Sequence, residues 1–107
     1  MSSAKTPLTV VYDGSQLSTR IEVEKIKQKD TAHVINLVDI SAGGKAEEHG
    51  CQTAAVQKAV HVRDADGAVT SGIDALQTVY DAVGLGGYFR FCRAPGLTSG
   101  SSFKKAA

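Results

Sequence analysis

Two short apolar segments with a helical segment between them constrain the fold of this chain more than any other feature. Residues 8–12 (LTVVY) form a β-branched run ended by Asp-Gly, which is typical of a buried central strand. Residues 16–30 then change to helical spacing, and residues 32–40 (AHVINLVDI) form a second strand-like run. A strand–helix–strand unit predicts a right-handed crossover between two parallel strands. We expect the helix to bury one broad apolar face that contains Leu17, Ile21, Val23 and Ile26.

The middle of the chain contains a short helical segment whose extent the sequence does not decide. Residues 45–49 (KAEEH) are predicted to form one or two helical turns closed by Gly50. Residues 52–57 (QTAAVQ) are compatible both with a continuation of that helix and with a loop.

A hairpin and a second amphipathic helix are predicted in the second half of the chain. Residues 64–67 (DADG) have the composition of a tight turn, with Gly67 at a positive φ, between a strand at residues 60–62 and a short strand AVTS. A helix is predicted over residues 72–85 from apolar residues spaced by three, four and seven: Ile73, Leu76, Val79, Tyr80 and Val83. Residues 86–96 are predicted to form a short closing helix ended by Pro95.

The order of these elements places the chain in the α/β class. A parallel pair followed by an antiparallel hairpin gives a mixed four-stranded sheet with helices on both faces, which is a thioredoxin-like arrangement. The length of 107 residues fits one compact domain, which we assign to residues 1–96. Residues 97–107 (LTSGSSFKKAA) are rich in serine and glycine and then basic, so we expect a flexible C-terminal tail.

The charge balance and the cysteine count argue against several classes of protein. Twelve basic and eleven acidic residues give a formal net charge of +1, so there is no electrostatic reason to expect nucleic acid or an acidic membrane as a partner. No apolar run approaches the length of a membrane span. The N-terminus lacks the apolar core of a signal peptide, so we expect a cytoplasmic protein whose Cys51 and Cys92 are reduced.

Three segments carry a resemblance to a known family. They are residues 10–14 (VVYDG), residues 33–40 (HVINLVDI) and residues 59–76 (AVHVRDADGAVTSGIDAL), and residues 88–96 (YFRFCRAPG) add a less specific match. In this order and spacing the chain resembles the DCC family (DUF393) of predicted thiol-disulfide oxidoreductases, up to about Gly96. The resemblance implies a thioredoxin-like fold with a thiol site at the start of the first helix.

At that thiol site the chain departs from the family pattern. The family is named for the motif D-x-x-C-x-x-C; here Asp13 holds the aspartate position, whereas Gln16 and Thr19 stand where the two cysteines would be. Thiol–disulfide exchange needs a thiolate nucleophile and a second thiol that resolves the mixed disulfide. Our leading hypothesis is a domain with a degenerate active site, which has lost this activity and retains at most a ligand-binding or protein-binding role. Whether the protein is an enzyme of another kind stays open.

The predicted binding surface combines the start of the first helix with the loop before the third strand, at residues 57–59. The free N–H groups and the partial positive charge of a helix start favour an anion or a carbonyl as the ligand. The alternative interpretation is ordinary helix capping, for which serine, threonine and aspartate are the usual residues. The candidate residues are Asp13, Ser15, Gln16, Ser18, Thr19, Lys58 and Ala59.

Two further hypotheses stay open. The first is a protein-disulfide oxidoreductase or a glutathione-linked enzyme that uses Cys51, two residues from His49, or a hydroxyl at the helix start. For Cys51 we favour the role of a small, partly buried apolar residue. The second is an adaptor whose short edge strand AVTS pairs with a partner strand. The partner would be a protein or a small thiol such as glutathione; the sequence does not predict the oligomeric state.

The remaining polar residues with functional potential have simpler interpretations. Asp39 ends the second strand, at the edge where open α/β sheets place ligands, but we favour a cap on the turn that follows. Asp64 and Asp66 have the residue type that tight turns prefer. His61 alternates with apolar neighbours and is predicted to line a sheet face. No histidine or cysteine has metal-ligand spacing, so no metal or other cofactor is expected.

Overall fold

The structure, a computed structural model, describes residues 5–87 and residue 89. In the described part, the helices and strands follow one another in the predicted order. Two short 3-10 helices lie between the second strand and the second helix. The bounds are β1 Leu8–Tyr12, α1 Leu17–Lys29, β2 Ile35–Asp39, 3-10 helices Ile40–Ala42 and Ala46–His49, α2 Thr53–Lys58, β3 His61–Arg63, β4 Val69–Ser71 and α3 Gly72–Ala82.

The four strands form one mixed sheet in the order β2-β1-β3-β4. Strand β2 runs parallel to β1, whereas β3 is antiparallel to β1 and β4 is antiparallel to β3. Tyr12 pairs with Asp39 at the carboxyl end of the parallel pair. This register brings the turn after β1 next to the end of β2. The residues at the family's motif positions and Asp39 therefore lie at the same end of the parallel strand pair.

Helices cover both faces of the sheet, as predicted for a thioredoxin-like fold. On one face, Leu8 and Val10 of β1 pack with Ile26 of α1 and Val79 of α3. On the other face, Val11 packs in a smaller cluster with Val56 of α2 and with two residues from the segment before α2, Ala46 and Cys51. Strand β1 is buried on both faces because it is central, which explains its continuous apolar run.

The predicted apolar face of α1 is wrong, because its apolar residues do not lie on one side. Leu17 is 63% exposed and Ile21 is 55% exposed, whereas Val23 and Ile26 are buried. Successive residues of an α-helix are about 100° apart, which puts Leu17 and Ile26 on roughly opposite sides. Only the side with Val23 and Ile26 packs against the rest of the protein.

The second strand is shorter than predicted, because a buried carboxylate holds the chain just before it. The two oxygens of Asp30 accept hydrogen bonds from the backbone N–H groups of Val34, at 2.9 Å, and Ile35, at 3.0 Å. His33 takes a left-handed φ of 57°, which a strand does not allow. Strand β2 therefore begins at Ile35 rather than at residue 32.

The other predictions about local structure are resolved as follows. Residues 52–57 belong mostly to helix α2. Gly50 and Gly67 have positive φ values, at the helical stop and the hairpin turn where they were predicted. Residues 88 and 90–96 of the predicted closing helix, and residues 97–107 of the predicted tail, lie outside the described residues.

Candidate functional site

The turn between β1 and α1 is held by the carboxylate that ends β2. The Oδ1 oxygen of Asp39 accepts a hydrogen bond of 2.8 Å from the backbone N–H of Gly14. The same oxygen accepts bonds from the backbone N–H of Ser41, at 2.9 Å, and from its hydroxyl, at 2.7 Å. The prediction that Asp39 caps the following turn is confirmed, and the link to Gly14 is an additional role that spacing along the chain does not indicate.

Hydrogen bonding outweighs partial burial in setting the charge of Asp39. Partial burial raises the pKa of this carboxyl, but the hydrogen bonds from Ser41 and Gly14 and the charge of Arg20 lower the pKa below its ordinary value. The neighbouring Tyr12 shows the opposite result: its own partial burial and the nearby carboxylates of Asp39 and Glu24 raise its pKa. The edge of the sheet therefore carries an ionised Asp39 and a neutral Tyr12 at neutral pH.

Asp13 organises the first residues of the turn rather than the helix itself. Its Oδ1 oxygen accepts hydrogen bonds from the backbone N–H of Ser15, at 3.0 Å, and from the Ser15 hydroxyl, at 2.7 Å. These bonds from Ser15, and a further one from Gln16, lower the pKa of Asp13. The Ser15 hydroxyl is therefore engaged inside the turn and is not directed at the start of the helix.

The predicted side-chain cap of α1 is not formed. Gln16 is the N-cap residue, with extended backbone, and no side chain makes a capping hydrogen bond. Thr19 cannot cap the helix, because it lies inside the first turn, and the carboxylate of Glu22 accepts a hydrogen bond from the hydroxyl of Tyr80 in α3. The start of α1 thus keeps backbone N–H groups that no side chain caps.

The structure brings Gln16, at the first cysteine position of the family motif, together with the end of α2. Residues 57 and 58 were predicted to lie in a loop before β3, but they belong to this helix. The Nε2 atom of Gln16 donates a hydrogen bond of 2.6 Å to the backbone carbonyl of Gln57. Gln57 lies in the last turn of α2, where carbonyl groups lack partners within the helix. We call the contact between residues 13–19 and residues 57–59 the Gln16 junction. The two segments that the sequence analysis combined into one surface meet there.

The other candidate residues lie around this junction with different degrees of exposure. Ser18 is exposed in the first turn of α1, and Thr19, at the second cysteine position, is half-buried. Lys58 is exposed at the end of α2. Ala59 follows it, and its carbonyl lies 2.9 Å from Nδ1 of His61. The two segments that meet at the junction therefore carry an exposed ammonium, that of Lys58, and an exposed hydroxyl that makes no bond within the turn, that of Ser18.

Cys51 lies in the core on the α2 face of the sheet. It is 5% exposed and packs on the α2 face of the sheet with Val11 and Val56, whereas Ile26 of α1 packs on the opposite face. Its thiol is 3.5 Å from the carbonyl of His49, and burial raises its pKa. Cys51 therefore has the environment of a core residue and not that of an activated thiolate. Cys92 lies outside the described residues.

Sequence reasoning missed the role of Gly14, and it included Gln57 in the predicted surface without indicating which atom of Gln57 makes the contact. A Cβ atom on Gly14 would lie 2.1 Å from Oδ2 of Asp39, so a glycine is needed for this close approach. The Asp-Gly pair signals a turn, but it does not indicate which distant residue contacts it. Gln57 contributes its backbone carbonyl, which every residue type has, so the sequence does not indicate this contact.

An open depression on the outer face of α1 is separate from the junction. It is lined by Arg20, Ile21, Glu24, Lys25 and Gln28, all from one helix. A ligand there would be contacted from one side only, so this depression does not fit a binding site.

The described residues contain neither a cluster of metal-binding side chains nor a membrane-spanning helix. Within residues 5–87 and 89, no group of three or more His, Cys, Asp or Glu side chains could hold a metal ion. In the same part of the chain, no helix has the length and apolar character needed to cross a membrane.

Comparison with protein-family models identifies one family. A sequence model described as DCC1-like thiol-disulfide oxidoreductase matches residues 10–102 of the chain. An uncharacterized chloroplastic protein of Arabidopsis thaliana is 30% identical over 82 residues, which are 74% of this chain and 38% of that protein. The chain thus spans well under half the length of this relative. No solved structure matches the chain.

Proposed function

This chain belongs to the DCC1-like thiol-disulfide oxidoreductase family, and from that premise we propose that it is a binding domain that does not catalyse thiol–disulfide exchange. The observation that carries the proposal is the pair of residues at the two cysteine positions of the family motif, Gln16 and Thr19. A carboxamide and a hydroxyl can neither attack a disulfide nor resolve a mixed one. The thioredoxin-like scaffold around these positions is retained.

The remaining described thiol is a poor substitute for the missing pair. Attack on a disulfide requires a thiolate that the disulfide can reach. Cys51 is buried, and burial raises its pKa, so the reactive form is scarce and enclosed. It also packs in the core against Val11 and Val56. These features support the loss of exchange chemistry.

The Gln16 junction is the surface that we propose for binding. The Gln16 carboxamide already pairs with a peptide carbonyl, that of Gln57. Ser18 and Lys58 add an exposed hydroxyl and an exposed ammonium. This donor-rich set fits a protein segment that presents backbone carbonyls and a carboxylate.

The test is the reduction of insulin by dithiothreitol, followed as turbidity. We expect no acceleration by this protein at any concentration at which a thioredoxin is active. The matched variant is Cys51→Ala, which removes the described thiol. Acceleration by the wild-type protein that is lost in Cys51→Ala would overturn the proposal and favour an oxidoreductase that uses Cys51.

One observation supports a second candidate function. This candidate is a glutathione-linked protein that uses a hydroxyl at the start of α1. Ser15 is engaged with Asp13, but Ser18 is exposed in the first turn of a helix whose N–H groups have no side-chain cap. Titration of the 15N-labelled protein with glutathione distinguishes the two. Shifts confined to residues 15–19 would favour the glutathione-linked protein, and no shifts at millimolar glutathione would exclude it.

For its location we propose the cytoplasm. The buried, unpaired thiol of Cys51 suits a reducing compartment. The chloroplastic description belongs to the Arabidopsis relative, of which this chain spans only 38%. Expression of the full-length protein with a C-terminal fluorescent tag would test the location directly.

A further inference from the structure

We propose that the Gln16 side chain is a strap that holds the Gln16 junction closed and that a ligand must displace. This proposal names the contact that competes with ligand binding at the Gln16 junction, and its role in ligand entry rests on the proposed function. The side chain of Gln16, at the position of a catalytic cysteine, would then occupy the binding site until a ligand replaces it.

The side chain of Gln16 is free to contact another element because it does not cap α1. Its backbone is extended, with φ −92° and ψ 120°, and its side chain makes no capping bond to α1. The side chain crosses instead to α2, where Nε2 donates to the Gln57 carbonyl at 2.6 Å, 41 residues away in the chain. That carbonyl is near the C-terminal end of α2, which carries partial negative charge and attracts an N–H donor.

The same carboxamide also acts on the turn before the helix. It lowers the pKa of Asp13, although less than the hydrogen bonds from Ser15 do. The backbone N–H of Gln16 donates to the Asp13 carbonyl, so residue 16 is part of that turn. The strap thereby connects the turn after β1 to the end of α2.

The turn is anchored independently of the strap, so the strap can open without unfolding the turn. Gly14 is held by Asp39, and Ser15 is held by Asp13. Among the residues that the structure describes, the Gln16 bond is the one hydrogen bond between residues 13–16 and residues 57–59. Gln16 is exposed, so its bond competes with water and opens at low cost.

The experiment is amide hydrogen exchange, measured by NMR on the ligand-free protein. Two hydrogen-bonded amides report on the two sides of the junction: Gln16 N–H, bonded to Asp13, and Ala59 N–H, bonded to Ala55. Gln16→Met keeps the length of the side chain and removes its hydrogen-bonding groups. We expect exchange at both amides to become about two- to tenfold faster, which is the effect of one net hydrogen bond. Exchange in α3 should not change.

Gln57→Ala is the matched control, because Gln57 contributes its backbone carbonyl and not its side chain. We expect this variant to exchange like the wild-type protein at both amides. The strap would be refuted by unchanged exchange in Gln16→Met, by equal effects of the two variants, or by global unfolding of Gln16→Met. Because no ligand is present, these outcomes are independent of the insulin and glutathione experiments, so a failure of the strap is distinguishable from a failure of the proposed function.

Discussion

The backbone N–H of Gly14, in the turn after β1, donates a hydrogen bond of 2.8 Å to Oδ1 of Asp39, at the end of β2. The two residues are 25 positions apart and meet because β1 and β2 are parallel neighbours whose carboxyl ends lie side by side. Asp39 thereby fixes the backbone of the turn that leads into Gln16. The geometry of the candidate site depends on this pair and not only on the residues of the motif.

The first prediction concerns the coupling of this pair. In Gly14→Ala, the new Cβ would lie 2.1 Å from Oδ2 of Asp39, so the carboxylate must move and lose its bond to residue 14. We expect a loss of about 1–3 kcal/mol in the free energy of unfolding, the range for a displaced charged acceptor. Asp39→Ala should cost at least as much, because it removes the same bond and the two bonds from Ser41.

The double variant decides whether the two losses have one cause. Since the Gly14–Asp39 bond is lost in both single variants, we expect Gly14→Ala/Asp39→Ala to cost clearly less than the sum of the single variants in urea unfolding. Gly87→Ala is the control, because a Cβ at Gly87 meets nothing within 4 Å. Additive losses in the double variant would show that Gly14 and Asp39 act separately.

The second prediction is a loss of stability in acid that involves Asp39. Its pKa lies below the ordinary value in the folded protein, since hydrogen bonds from Ser41 and Gly14 outweigh the opposing effect of burial. As the pH falls, the unfolded protein therefore binds a proton at this carboxyl before the folded protein does. The stabilisation that the ionised Asp39 provides is fully present above the pKa of the unfolded state, about 3.9. It is lost as the pH falls from that value through the lower pKa of the folded state.

The measurement is the free energy of unfolding in urea between neutral pH and about pH 3. We expect the wild-type protein to lose stability more steeply below about pH 4 than Asp39→Asn, which cannot ionise at this position. Asp13 and Glu47 also have lowered pKa values and contribute to acid sensitivity in both proteins. Parallel curves for the two proteins would show that Asp39 is not linked to folding.

The third prediction concerns the reactivity of Cys51. The thiol is buried and its pKa is raised by burial, so a disulfide reagent should react with it only when the protein opens. In a Cys92→Ser background, which isolates Cys51, we expect reaction with Ellman's reagent to be slow in buffer and fast in denaturing urea. Equal rates in the two conditions would contradict a core position and strengthen the case for an oxidoreductase.

A good part of the fold follows from the sequence because it depends on local patterns. The apolar run of β1, the DADG turn and the spacing in α3 each specify an element through nearby residues. The family resemblance then supplies the topology that these elements adopt, and the four-stranded sheet agrees with it. The wrong apolar face of α1 has a simple cause, because Leu17 and Ile21 are apolar but point away from the side that packs.

The contacts of the candidate site are harder to predict, because they join residues that are far apart in the chain. The motif positions Asp13, Gln16 and Thr19 are visible in the sequence, but the partner of Gln16 is a backbone carbonyl 41 residues away. Capping was a reasonable expectation for a turn rich in serine and aspartate. The side chains instead bind the turn itself, as Ser15 does to Asp13, and leave the helix start uncapped.

The fourth prediction is that the scaffold regains exchange chemistry when the two thiols are supplied. In Gln16→Cys/Thr19→Cys, one thiol stands at the N-cap of α1 and the other in its first turn. Residues three apart at a helix start are close enough for a disulfide, and the positive end of the helix favours a thiolate. We expect an intramolecular disulfide, seen as the loss of two hydrogens by mass spectrometry, and acceleration of insulin reduction that the wild-type protein lacks.

The single variants are the controls for this result. Gln16→Cys and Thr19→Cys each supply one thiol, which can attack a disulfide but cannot resolve the mixed disulfide that forms. Both should therefore trap a mixed disulfide without sustained turnover. If the folded double variant forms its disulfide but does not accelerate insulin reduction, the missing cysteines are not the reason for inactivity. If the wild-type protein is as active as the double variant, the proposed loss of exchange is wrong, and another thiol of the chain carries the reaction.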